Sequence, residues 1–232
     1  MTSRPRQQPP RTGSLTLPKR LTSIFSMLLP EESDLASPEK ASFAAFSTTE
    51  RAVMMALHEV KARQSAVTET DHLWVQKVSF LFRRLLESIH PEEGPSSVGY
   101  IAYDLGPYSE EVEGALVALL KDKLIEMDDN KRFHLTIRGT QIAQELESSK
   151  PKASSALRSI VDVVELLTSN ELILYVYATN PEWAKESKIK GILQSKGARF
   201  NLARKLYTAQ KVSMERAAEV AGLPIKDFVS RL

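Results

Sequence analysis

Residues 109–136 read SEEVEGALVALLKDKLIEMDDNKRFHLT, and the two halves of this stretch obey different periodicities. Val112, Leu116, Leu119 and Leu120 recur at the three- and four-residue spacing that lines one face of a helix. Ser109 stands where an N-cap is needed, and Glu110 and Glu111 follow it at the positive end of the helix dipole. The pattern predicts a helix to about Asp122. Leu124–Met127 and Phe133–Thr136 then flank Asp128-Asp129-Asn130-Lys131-Arg132, a polar loop between two short apolar runs, which predicts a β-hairpin.

Working outward, Val53, Ala56, Leu57 and Val60 predict a helix in a folded segment that begins near Thr48. A second helix fits Asp71 to Ile89, with Trp74, Val78, Leu81, Leu85 and Ile89 on one stripe and Phe82 beside it. Pro91, Gly94 and Pro95 break the chain. Val98 to Tyr103 then reads as a short strand before the turn Leu105-Gly106-Pro107. After the hairpin, an amphipathic helix is expected from about Arg138 to Glu147. Helix, helix, helix, hairpin, helix is the order of a winged helix-turn-helix unit.

Pro151 and its serine-rich flank mark a joint. Leu157, Ile160, Val161, Val164 and Leu167 predict a helix from roughly Ser154 to Thr168, and Asn170 is placed to cap the next, Glu171 to Ala178. That helix is apolar nearly all round, which suits burial against the first unit; Leu172–Ala178 also offers a dimer surface. Pro181 opens a polar helix to about Ser195.

Residues 213–232, SMERAAEVAGLPIKDFVSRL, have the spacing of a helix-turn-helix. Ala217, Ala218 and Ala221 are small where two helices cross, Gly222 can take the positive φ of the turn, and Pro224 can start a helix. Leu223 packs under the turn, and Phe228 and Leu232 anchor the last helix. Asn201 to Ala209, with Leu202, Leu206 and Tyr207, supplies the third side. Docked on double-stranded DNA as such units dock, Ile225, Lys226 and Asp227 face base edges. Arg204, Lys205, Lys211 and Arg216 are placed to serve phosphates, and Arg199, exposed on the preceding helix, completes the DNA-binding set. A helical hairpin used for protein contact is the alternative.

The fold class expected is mainly α: a winged helix-turn-helix-like central domain with a short β-hairpin, followed by a helical C-terminal helix-turn-helix. The segments are a disordered basic, proline-rich tail (1–45), the winged-helix-like domain (46–150), a helical connector and dimerisation region (151–195) and the C-terminal unit (196–232). In the tail, the cluster Ile24-Phe25-Ser26-Met27-Leu28-Leu29 reads either as a segment packed on the domain or as a partner-binding motif. The acid-free stretch before Glu31 also has a composition found in organelle transit peptides, although its prolines oppose an amphipathic helix.

Charge follows the same division. The 232 residues carry 31 Lys+Arg and 29 Asp+Glu, but residues 1–20 hold five basic side chains and no acid. Residues 21–184 hold 15 basic and 25 acidic side chains, and residues 185–232 hold 11 and 4. A basic terminus on an acidic middle hints at a polyanion partner.

Catalytic signatures are sparse. There is no cysteine, hence no disulfide, thiolate metal site or cysteine nucleophile. His58, His72, His90 and His134 lack the spacing that places two metal ligands on one helix face. No P-loop, G-x-G-x-x-G or G-x-S-x-G is present. Glu110-Glu111 and Asp128-Asp129 read as solvated charges. No catalytic residue, metal or cofactor is expected, and no apolar run approaches the ~20 residues of a membrane span; the location expected is cytoplasmic.

Two resemblances add to this reading. Residues 207–232, with KVSMERAAEVAGL at 211–223, closely resemble a family of small uncharacterised prokaryotic antitoxin-like proteins. Tyr103-Asp104-Leu105-Gly106-Pro107-Tyr108-Ser109, followed by Leu116, Leu119, Leu120, Leu124 and Ile125, resembles the SocA-like (Panacea) antitoxin domain and related winged-helix proteins. Residues 75–81, VQKVSFL, are similar to the upstream helix of that group. Lys123 stands where the group has glycine. This second resemblance covers roughly residues 50–148 and implies an interaction or regulatory domain, with Tyr103, Asp104, Gly106, Pro107, Tyr108 and Ser109 as its interaction motif. Glu110, Glu111 and Glu113 open the helix that would face phosphates, where like charges repel. Protein contact is therefore expected of the middle unit and DNA contact of the C-terminal one. The leading functional expectation is a DNA-binding transcriptional regulator, the antitoxin or autoregulating member of a two-gene system, acting as a homodimer with a cognate toxin as partner. The alternative is a protein-interaction module that binds no DNA, either a toxin-neutralising antitoxin or an adaptor.

Overall fold

Ser47 starts helix α1 (Thr48–Ala62) with a capping box. Its hydroxyl accepts from the Glu50 N–H at 3.1 Å, and the Glu50 carboxylate accepts from the Ser47 N–H at 2.6 Å, so two otherwise orphaned donors are satisfied together. The computed structural model describes residues 45–63, 70–89, 99–184 and 195–232. Residues 1–44 of the expected tail, His90 and most of the polar helix expected after Pro181 lie outside the described residues. Helix α1 is central: Val53, Met54, Met55, Ala56 and Leu57 are all buried. Arg51 is buried with them, its guanidinium donating to the Phe46 carbonyl.

Helix α2 (His72–Ile89) is capped by Asp71, whose carboxylate accepts from the Trp74 N–H at 2.8 Å. The expected positions Trp74, Val78, Leu81 and Phe82 are buried, but so are Val75, Phe80 and Leu86. Later helices cover the far side, so burial extends beyond one stripe. Strands β1 (Tyr100–Tyr103) and β2 (Gly106–Ser109) then form a tight antiparallel hairpin, with Tyr103 opposite Gly106. The sequence placed Gly106 and Pro107 in a turn, whereas both belong to a strand. The reason is tertiary. The Gln76 side chain donates to the Ser109 carbonyl and accepts from its N–H, both at 3.0 Å, and so stands in for a neighbouring strand.

Helix α3 (Glu110–Lys121) buries Val112, Leu116 and Leu119 as expected, while Leu120 is turned toward solvent and Ala115 takes its place. Ser109 occupies the N-cap position without capping; its hydroxyl is buried and makes no hydrogen bond among the described residues. Lys123 has φ +55°, the left-handed conformation that glycine adopts without steric penalty. Lys123→Gly is expected to raise stability by about 0.5–1 kcal/mol, read as a higher denaturation midpoint with unchanged m-value.

Strands β3 (Ile125–Met127) and β4 (Phe133–Leu135) form the predicted hairpin, or wing, with Ile125 opposite Leu135. Asp128 shapes its loop: one carboxylate oxygen accepts from the Asn130 and Arg132 N–H groups, and the other meets His134. These bonds, that from Arg132 first, hold its carboxyl below the usual range.

Thr136 caps helix α4 (Ile137–Ser149) by accepting from the Gly139 N–H. Pro151, read as a joint, is the first residue of helix α5 (Pro151–Val164), a position where its missing N–H costs nothing. Helix α6 (Ser169–Thr179) is capped by Thr168 rather than Asn170, in a capping box with Glu171.

Leu172, Ile173, Leu174, Tyr175, Val176 and Tyr177 are all buried within one chain. This corrects the expectation of a dimer surface at Leu172–Ala178. A short 3₁₀ turn follows at Pro181–Ala184.

Helices α7 (Lys196–Thr208), α8 (Met214–Ala221) and α9 (Ile225–Val229) form the trihelical C-terminal unit. Phe228 is fully buried, with ring centroids 5.6 Å from Phe200 and 6.1 Å from Tyr207. Leu232, expected as a second anchor, is exposed because α9 ends at Val229. The unit packs on α6, and one hydrophobic core runs from α1 to α9. Among the described residues no helix is long and apolar enough to cross a membrane.

Candidate functional site

The C-terminal unit has helix-turn-helix geometry. Ser213 caps α8, Gly222 ends it at φ +67°, and Pro224 opens α9. Ile225, Lys226 and Asp227 are exposed at the start of α9, where base contact was expected. Of the five basic residues assigned to DNA, four have other engagements. Arg199 donates to the Val220 and Glu219 carbonyls at 2.8 and 3.1 Å, capping the negative end of α8. The absence of a side chain at Gly222 makes room for that guanidinium, since a Cβ there would lie 3.0 Å from it.

Lys205 pairs with Glu171 at 2.7 Å, and Lys211 pairs with Asp162 at 2.6 Å and Glu165 at 3.3 Å. Arg216 pairs with Glu219 at 2.6 Å and lies 5.8 Å from the centroid of the Tyr175 ring, within cation–π range. Arg204 alone of the five is exposed without a hydrogen bond or ion pair among the described residues.

These pairs account for part of the uneven charge. Asp162 in the last turn of α5 and Glu165 at its C-cap also hold Arg63 from the end of α1, at 2.7 and 3.1 Å. Two cations and two carboxylates therefore tie the α7–α8 loop to α5 and α1. Burial of Asp162 raises its pKa, but hydrogen bonds from Lys211 and Arg63 outweigh this and hold it below the usual range. Burial likewise opposes the bonds from Lys205 and the Thr168 N–H that depress Glu171. Much of the excess positive charge faces this protein's own acids.

The second feature lies where the interaction motif was expected. The start of α2, the β1–β2 hairpin and the wing enclose a cleft of about 970 Å³. Leu73, Tyr103, Leu105, Tyr108, Met127 and Phe133 supply its apolar wall. Tyr103 is 56% exposed, Met127 54% and Leu105 41%, all around one opening. Tyr103 and Tyr108 pack with ring centroids 5.7 Å apart. Burial, then the nearby Glu113 and Glu110 charges, push the Tyr108 phenol up.

Of the motif residues, Tyr103, Asp104, Gly106 and Tyr108 line the cleft. Pro107 and Ser109 lie behind it, holding Lys77 and Gln76 through their backbones. Lys77, which the sequence reading did not single out, lies at the cleft floor and is 3% exposed. Its ammonium donates to the Pro107 carbonyl at 2.9 Å, and burial pushes its pKa down to about 8. Leu73, four residues before it, and Phe80 and Leu81, three and four after it, put apolar neighbours on its face of the helix, the sequence signal that marks it.

His58 pairs with Glu147, His72 with Glu113 and His134 with Asp128. Among the described residues no three His, Asp or Glu gather as metal ligands. Compared with models of known families, with curated proteins and with solved structures, the chain matches none, so its function is read from its own geometry.

Proposed function

We propose that the protein is a protein-interaction module, of the toxin-neutralising or adaptor kind, whose docking surface is the face formed by the β1–β2 hairpin and the wing. The observation that carries this reading is the apolar cleft between them, open to solvent and bordered by Tyr103, Leu105 and Met127. Exposed large apolar groups gathered around one opening mark an interaction site more often than scattered ones do. The acidic first turn of α3 beside it, with Glu110, Glu111 and Glu113, repels a polyanion. Four of the five C-terminal cations offered to DNA have partners within the chain.

A DNA-binding regulator is the second reading, favoured by the helix-turn-helix geometry of α8 and α9 and by exposed Arg204 and Lys226. An affinity capture with the full chain, at low and at high salt and read for both nucleic acid and protein, separates the two. The expected result is a stoichiometric protein partner retained at high salt and lost on Tyr103→Asp or Met127→Asp. DNA captured at low salt, released steeply with salt and indifferent to both substitutions would overturn the proposal.

A further inference from the structure

The floor of the cleft carries a charge that no carboxylate of the described residues balances. Lys77 has three N–H donors, and the Pro107 carbonyl is its hydrogen-bond acceptor among the described residues. No carboxylate of the described residues pairs with it. Asp71 is engaged in capping α2, and His72 on the rim is paired with Glu113. Lys131 at the wing tip and Asp104 at the hairpin turn also line the cleft, one cation and one carboxylate that offset each other at the rim and leave Lys77 to set the charge of the floor. Burial is the cause of the shift in Lys77, with no neighbouring acid opposing it. A buried ammonium without a counter-charge is unfavourable.

The hairpin is also shaped around this side chain. Gly106 has φ +102°, and a Cβ there would lie 3.2 Å from Lys77 Cε and 3.4 Å from Nζ. The backbone therefore approaches the ammonium more closely than a residue with a side chain readily allows.

We infer that the cleft receives a segment of a partner protein that presents an apolar side chain beside a carboxylate, the carboxylate accepting from Lys77 and the apolar group lying among Leu73, Tyr103, Leu105, Met127 and Phe133. This rests on the hairpin–wing face being a docking surface. Charge complementarity selects the acid, and the apolar wall selects its neighbour. The volume of about 970 Å³ holds more than one side chain.

The test uses two probes that differ only in charge, N-acetylphenylalanine and its carboxamide, titrated into the full chain and followed by NMR. The carboxylate is expected to bind about tenfold or more tightly than the amide, the fold-change of one charge-assisted hydrogen bond. Lys77→Met is expected to equalise the two. Leu105→Asp, at the exposed turn, offers the ammonium an internal carboxylate. It should reduce the carboxylate's advantage in the same way, and it serves if Lys77→Met fails to fold. Equal binding of the two probes to the wild-type chain, or a preference that survives both substitutions, would overturn the inference.

So would concentration-dependent dimerisation abolished by Leu105→Asp, which would make a second copy the occupant. A captured partner lost on Tyr103→Asp but retained by Lys77→Met would sink this inference and leave the docking surface standing. Probe binding of the expected kind without any captured partner would do the reverse.

Discussion

Gly139→Ala is expected to destabilise the protein by at least about 3 kcal/mol, the upper range of core overpacking. For a chain of this size that lowers Tm by roughly 6–12 °C. Gly139 lies in the first turn of α4, beneath the base of the wing. A Cβ built there would sit 1.9 Å from the Leu124 carbonyl oxygen and 2.9 Å from its carbon. Neither atom belongs to a flexible side chain. The same carbonyl accepts from the Thr136 N–H at 3.1 Å and from its hydroxyl at 3.2 Å, so it cannot retreat without breaking the link between wing and helix.

Gly114→Ala is the matched control. That glycine lies in α3, and a Cβ there meets nothing within 4 Å. It should stabilise by about 0.5–1 kcal/mol. Thermal unfolding of both variants reads the contrast directly. A neutral Gly139→Ala would mean that α4 does not pack as closely on Leu124 as described.

Lys77→Met is expected to stabilise the protein by about 2 kcal/mol at neutral pH, because it removes a buried charge that no carboxylate of the described residues balances, at the loss of one hydrogen bond. The gain is predicted to vanish in alkali. In the unfolded chain Lys77 keeps its ordinary pKa of 10.5, while in the folded protein burial lowers it to about 8. Below pH 8 both states carry the proton and the unfavourable burial is fully present. Between about 8 and 10.5 the folded protein releases the proton while the unfolded chain holds it, so wild-type stability rises by up to about 3 kcal/mol. Methionine has no such gain. Denaturant unfolding of both proteins from pH 7 to 10.5 should show the variant's advantage closing as pH rises, and an advantage that stays constant would refute the assignment. A residue whose replacement stabilises the fold while removing carboxylate preference would be held there by binding rather than by packing.

Several elements were legible in the sequence because their signals are local. The α3 stripe of Val112, Leu116 and Leu119, the Asp128–Arg132 loop, and Gly222 at the end of α8 each depend on residues a few positions apart. Other features depend on distant partners. Gly106 and Pro107 pair as a strand because Gln76, 33 residues before Ser109, holds the strand's end. The apolar helix α6 suited both the core and a dimer surface, and it lies in the core because α2 and the C-terminal helices cover it.

Charge divides in the same way. The sequence by itself determined that a basic terminus follows an acidic middle, since composition is additive and needs no coordinates. It also determined the helical class and the helix-turn-helix spacing of residues 213–232, because periodicity and turn residues act locally. Only the tertiary structure decided that Lys205 and Lys211 meet Glu171, Asp162 and Glu165, while Lys77 meets no acid among the described residues. An ion pair is set by a separation of a few ångströms, which residues tens of positions apart reach only when packing of the apolar core brings their helices together.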